Sequence, residues 1–175
     1  MKRQGLLDLN EAVQHPGKRL RFEVTTSLTE EEDLDLTEPV TGELTAQSTG
    51  NILLLRSTFR AKCIMECARC GEPIPQVVDF EMADEFQVEG IPACYGTGEF
   101  AKVVEEEDYP LFVKNSLDQD SYVRQGLIVN LPSQPLCEYG WEGPCPKAKA
   151  GSPREGAHGH PAMQKLKDLV HPEDD

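Results

Sequence analysis

Two pairs of cysteines, each in a tight turn and about 70 residues apart, constrain this chain more than any other feature. The first pair lies in Cys63-Ile-Met-Glu-Cys67-Ala-Arg-Cys70-Gly71-Glu-Pro73, between two segments that read as β-strands. A Cys-x2-Cys-Gly turn lets two thiolates point at one spot, because the glycine can adopt φ > 0 and turn backbone N–H groups toward the sulfurs. The second pair, Cys137 and Cys145, lies in the Gly/Pro-rich stretch Pro135-Leu-Cys-Glu-Tyr-Gly-Trp141-Glu-Gly-Pro-Cys145-Pro146. Taken together, Cys67, Cys70, Cys137 and Cys145 suggest a four-thiolate clip that holds a structural zinc and closes a long loop. The seven residues between Cys137 and Cys145 exceed the usual two to four of a zinc knuckle, so unliganded thiols in tight turns stay an alternative. A redox dithiol is disfavoured. It needs its Cys-x2-Cys at the start of a helix to depress one thiol, and Gly71-Glu-Pro73-Ile-Pro75 is hostile to a helix. Cys63 reads as a packed small apolar residue in its strand, and Cys94 as a bystander.

The rest of the chain supplies a body for such a clip. Leu6, Leu7 and Leu9 read as a short strand or turn, followed by a loop at His15-Pro16-Gly17. Arg19 to Thr26 alternates, with Leu20, Phe22 and Val24 on one face and Arg19, Arg21 and Glu23 on the other, as a half-buried strand does. Val40 to Gln47 alternates again, and Ser48-Thr-Gly-Asn51 is a turn. Ile52 to Glu66 predicts a long strand into the cysteine turn, and Gln76 to Val88 the returning one, with Val77, Phe80, Met82 and Phe86 in the core. Ile91 to Asp108 reads as an irregular excursion. Ser116 to Asn130 predicts the main helix, N-capped by Ser116, with Asp118 and Asp120 in the first turn. Leu117, Tyr122, Val123, Leu127, Ile128 and Leu131 form its apolar face, and Pro132 stops it. The expected class is α+β: an antiparallel β-sheet or partial barrel with one main helix (116–130) and a short C-terminal helix. Residues 1–146 form the β-rich domain, 147–160 a flexible linker, and 161–175 a helix carrying Met163, Leu166, Leu169 and Val170 with an acidic tail.

Charge narrows the partners. Of the 175 residues, 31 are acidic and 17 basic, a net charge of −14. Residues 29–108 carry five Lys/Arg against 19 Asp/Glu, so the acidity belongs to the central region, with runs at Glu30–Asp33 and Glu105–Asp108. Such a surface repels phosphate backbones and anionic membranes and complements a basic protein. No stretch reaches the ~20 apolar residues of a membrane-spanning helix, and the N-terminus has no signal-peptide core. The chain therefore reads as cytoplasmic, where paired cysteines favour metal over disulfide. No nucleophile–base signature, phosphate-binding glycine loop or His-rich set marks a catalyst. His158 and His160 read as a tail pair. Trp141 reads equally as a partner anchor, a lid over the metal, or plain packing.

These motifs fall in the order of a known family. Cys67-Ala-Arg-Cys70-Gly-Glu-Pro after a long strand, Leu131-Pro-Ser-Gln-Pro135-Leu-Cys137, Gly143-Pro-Cys-Pro146 and Pro161-Ala-Met-Gln-Lys165-Leu-Lys-Asp-Leu169 resemble the YceD family of large ribosomal RNA subunit accumulation proteins. The fuller family motif has four late cysteines, and here Trp141 and Ala148 stand at two of those places. The resemblance implies a non-enzymatic role in synthesis, processing or stability of large-subunit ribosomal RNA. The family's bacterial genes often lie beside that of a small zinc-ribbon protein of the large ribosomal subunit, which implies a shared assembly step. Three functions follow. The first is an acidic, zinc-clipped factor that binds a basic ribosomal protein. The second is direct RNA binding through Lys18, Arg19 and Arg21 with Lys147, Lys149 and Arg154. The third is a zinc- or dithiol-dependent enzyme.

Overall fold

A long antiparallel hairpin is the spine of the molecule. Strand β4 (Ile52–Glu66) pairs with β5 (Pro73–Glu89) in unbroken register from Ile52↔Gln87 to Glu66↔Pro73, and the cysteine turn forms its tip. The alternation of β4 explains its faces. Leu53, Leu55, Ser57, Phe59, Ala61 and Cys63 are buried, while Arg56, Thr58 and Arg60 face solvent. The computed structural model describes residues 5–28, 34–96, 100–105 and 110–148. The expected C-terminal helix and tail, Glu30–Asp33, Glu106–Asp108, Lys149, Arg154, His158 and His160 lie outside them, as does all but the first two residues of the expected linker.

Around the hairpin, β2 (Arg19–Thr26), β3 (Val40–Ser48) and β6 (Lys102–Val104) complete a five-stranded antiparallel sheet in the order β2-β3-β4-β5-β6. Strand β3 leaves β4 at Thr41↔Arg60, and residues 35–37 continue the pairing through Thr37 N–H to Lys62 O and Ile64 N–H to Asp35 O. Beyond Ile64 the hairpin pairs only with itself among the described residues. Where β3 crosses β4, Gly42 stands opposite Phe59. A Cβ there would run into the Thr58 carbonyl oxygen and the Phe59 ring, so the space a side chain would need is already filled.

A second, three-stranded sheet has the order β1-β8-β7, from β1 (Leu6–Asp8), β7 (Phe112–Val113) and β8 (Ser116–Asp118). Helix α1 (Asn10–Gln14) follows β1, and helix α2 (Gln119–Asn130) follows β8. Helix α2 packs on β5 at Gly126, where a Cβ would lie 3.0 Å from a Phe80 ring carbon and closer still to the Met82 sulfur. Tyr122, Val123 and Leu127 of this helix are fully buried with Leu117, each such side chain contributing about 1.5–3 kcal/mol.

Four expectations need correction. The main helix starts at Gln119, not Ser116: Ser116 and Leu117 are in β8, paired with Asp8 and Leu7. Its cap is Asp118, whose Oδ1 accepts N–H bonds from Asp120 at 3.2 Å and Ser121 at 3.4 Å. Ile128, expected on the apolar face, is exposed. Val77 is 58% exposed and Val78 buried, because the pairing Arg60↔Asp79 puts the even-numbered residues of β5 on the core side. The excursion at 91–108 contains β6 and a 3-10 turn at Ala93–Tyr95. Two buried amides hold it. Gln14 donates to Ala101 O at 2.7 Å and accepts from Ala93 N–H. Asn115 donates to Ala101 O at 3.0 Å and accepts from Val103 N–H.

Candidate metal centre

The tip of the hairpin and the 135–148 segment meet through backbone first. Ala68 N–H donates to Pro135 O at 2.8 Å, and Cys137 N–H donates to Cys67 Sγ at 3.4 Å, across 70 residues of chain. Within the first turn, Gly71 at φ +73° lets its N–H close on Cys67 O, and Cys67 N–H reaches Glu72 O. In the second, Gly140 N–H bonds Cys137 O and Ala148 N–H bonds Cys145 O. Both turns are thus wound by their own backbone, as local glycine and proline content demands.

The sulfurs of Cys67, Cys70 and Cys137 all lie within 4.8 Å of one another. Cys145 stands outside that triangle, near enough for its thiol and those of Cys70 and Cys137 to perturb one another. The two remaining cysteines are elsewhere: Cys63 is buried in the core beside β5, and Cys94 is exposed on the 3-10 turn. All six are free thiols.

The surroundings favour anionic sulfur at two of the four. Backbone N–H groups of Cys70, Arg69 and Cys137 hold the Cys67 thiol down at about 6 against the cost of desolvation. At Cys145, N–H groups of Lys147 and Ala148 and the neighbouring thiols overcome desolvation and also lower it. At Cys70 the Glu72 N–H pulls down, but desolvation and sharing of its S–H with Cys67, Cys145 and Cys137 win and push it up to about 11. Cys63, by contrast, is raised by burial and then by Asp35, as an inert core thiol is.

The three clustered thiols of Cys67, Cys70 and Cys137 could hold a metal ion, and zinc suits such donors. Tetrahedral thiolate sites with Zn–S of about 2.3 Å place their sulfurs about 3.8 Å apart. N–H donors aimed at the sulfurs are the outer contacts such sites use. A fourth thiolate from Cys145 would leave no coordination position open for a substrate or water, and the ion would then supply a bridge.

Residues 55–170 match the family described as large ribosomal RNA subunit accumulation protein YceD. The chain belongs to the YceD family. Cys67, Cys70, Cys137 and Cys145 all fall inside the YceD match, whereas β1, β2 and β3 precede it. One protein of Mycobacterium bovis and two of Mycobacterium tuberculosis, each described as uncharacterized, are 25% identical to the chain over 137 residues. That similarity covers 76% of this chain and 63% of each relative's length. No solved structure matches.

One site residue carried no role in the sequence. Arg69, inside the Cys-x-Arg-Cys turn of this YceD chain, donates through Nη1 to Gly140 O at 2.9 Å and Gly143 O at 2.7 Å. Glu72 adds an ion pair with Lys147 at 2.7 Å. Trp141, on the turn that Arg69 clasps, is 53% exposed.

Proposed function

We propose that this chain is a non-enzymatic, zinc-clipped factor of large-subunit ribosome assembly that acts in the cytoplasm by holding a basic ribosomal protein. The family's description supplies the link to large ribosomal RNA subunit accumulation. What supports a protein client rather than naked RNA is where the positive charge goes. Lys18 pairs with Glu11, Arg21 with Glu43, and Lys147 with Glu72, while Arg19 donates to Gln47. Four of the bases expected to meet phosphate are thus engaged with neighbours inside the chain, Lys149 and Arg154 lying outside the described residues, and the central region keeps its surplus of acid.

In this reading zinc on Cys67, Cys70, Cys137 and Cys145 supplies a bridge, and residues 161–175 form a further helix beyond a linker. A pull-down from ribosomal extract tests it. Basic large-subunit proteins should be recovered at low salt and lost as salt rises past the screening range. Capture of protein-free ribosomal RNA by the purified chain, with no basic protein recovered, would overturn the reading in favour of direct RNA binding.

A further inference from the structure

The two edges of the five-stranded sheet are unlike. Strand β2 is eight residues long and its outward charges are mixed, Arg19, Arg21 and Glu23. Strand β5 is 17 residues long, yet β6 covers only Gln87–Glu89. From Pro73 to Phe86 it hydrogen-bonds β4 on one side, and no described residue pairs with its other side in a ladder. A strand edge of this kind presents a row of free N–H and C=O groups, which chains blunt with proline, lysine or bulges. Here Pro73 and Pro75 blunt the first turn of the strand only. Gln76 to Phe86 contains no proline, glycine or lysine.

Side chains set what could lie on that edge. Strand β5 carries Asp79, Glu81, Asp84, Glu85 and Glu89 and no lysine or arginine. Asp79 is held by Arg60 through a two-pronged contact at 2.6 and 2.9 Å, and Asp84 accepts from the buried Tyr122 hydroxyl at 2.8 Å. Glu81 and Glu85 are exposed, on the outer face, with no ion-pair partner among the described residues. On the opposite row of the same strand Val78, Phe80, Met82 and Phe86 are buried or half-buried, interrupted by Asp84. Like charges facing across a strand pair destabilise it, so a second β5 is rejected, as is any acidic strand. A guest with Lys or Arg at alternate positions would meet Glu81 and Glu85, while its intervening apolar residues would extend the Phe80–Met82 row.

We propose that the free edge of β5, from Gln76 to Phe86, takes up an extended basic–apolar segment of a partner protein as an added β-strand. This rests on the acidic-platform reading above and names the surface and mode of binding. Backbone hydrogen bonds supply the register and the carboxylates the choice of guest.

The test uses the full chain and a blocked peptide of Lys-Val repeats as probe. A second version carries N-methyl groups at alternate residues, keeping every charge but losing one row of donors. Fluorescence anisotropy at low ionic strength should show the plain peptide binding and the N-methylated one weaker by about tenfold or more. Glu81→Lys/Glu85→Lys should weaken the plain peptide by a similar factor with its melting temperature unchanged, since both sites are exposed. Hydrogen exchange should slow at alternate amides between 76 and 86 on binding. Indifference to N-methylation would overturn the edge while leaving the electrostatic reading intact. Failure of ribosomal proteins to appear in the salt-graded pull-down would sink that reading without touching the peptide result. No binding at all would overturn the proposal. So would protection of the same amides in the free chain, whether by its own residues 149–175 or by a homodimer.

Discussion

Arg69 shows how a single side chain can couple two turns that share no covalent neighbour. Its two acceptors lie 71 and 74 residues further on, and both are backbone carbonyls, which no residue identity announces. The cysteines are legible because turn chemistry marks them; the clasp between their turns is not. Arg69→Ala should cost about 2 kcal/mol in denaturant unfolding, since charged donors contribute about 1.5–3 kcal/mol each and part is recovered by water. Arg69→Lys should restore less than half of that, because an ammonium on its different stem does not place a donor where Nη1 meets both oxygens. The thiols predict a pH dependence for the chelator-treated chain. The Cys67 thiol at about 6 in the fold lies below the free value of about 8.5. A depressed group stabilises above its unfolded pKa, and the contribution fades as pH falls through the folded one. Melting temperature should therefore drop between about pH 8.5 and 6, and Cys67→Ser should flatten that limb. Cys70, raised to about 11, works in the other window and is lost on the alkaline side.

Elements with clear local signals could be read directly: the bounds of β2 follow from period-two patterning and those of β4 from the turns at its two ends. The misread elements are those fixed by distant partners. Leu117 fits a helical stripe, but pairing with Leu7 draws it into β8 and moves the helix start to Gln119. Val77 and Val78 are chemically alike, so only the register against β4 tells them apart. Strand β6, Lys-Val-Val, has no alternation to read and depends on the amides of Gln14 and Asn115. The helix start can be checked by two substitutions. Asp118→Ala should lower stability by about 1 kcal/mol through loss of its N–H acceptor, as measured by thermal unfolding. Ser116→Ala, in a strand and without a capping bond, should fall within about 0.5 kcal/mol of the parent.

For the whole molecule, an ion shared by the two cysteine pairs would close a loop running from β5 to α2, about half of the described elements. A cross-link over that length removes unfolded-chain entropy worth roughly 4 kcal/mol by the reckoning used for disulfides. We expect purified protein to hold one equivalent of zinc by elemental analysis, and Cys137→Ser/Cys145→Ser to hold none. That double variant should also melt at a lower temperature, and chelator should not lower it further. An unchanged zinc content would place the ion elsewhere.

The hairpin that overhangs its sheet beyond Ile64 has a mechanical corollary. Unsupported at the sides, it would be an oar free to swing. The bonds from Ala68 and Arg69 to the 135–143 segment instead moor its far end to the chain leaving α2, whose other flank rests on the oar's own shaft at Gly126. Shaft, helix and mooring make a closed triangle, so a tug on the blade is felt at the helix as a sideways load.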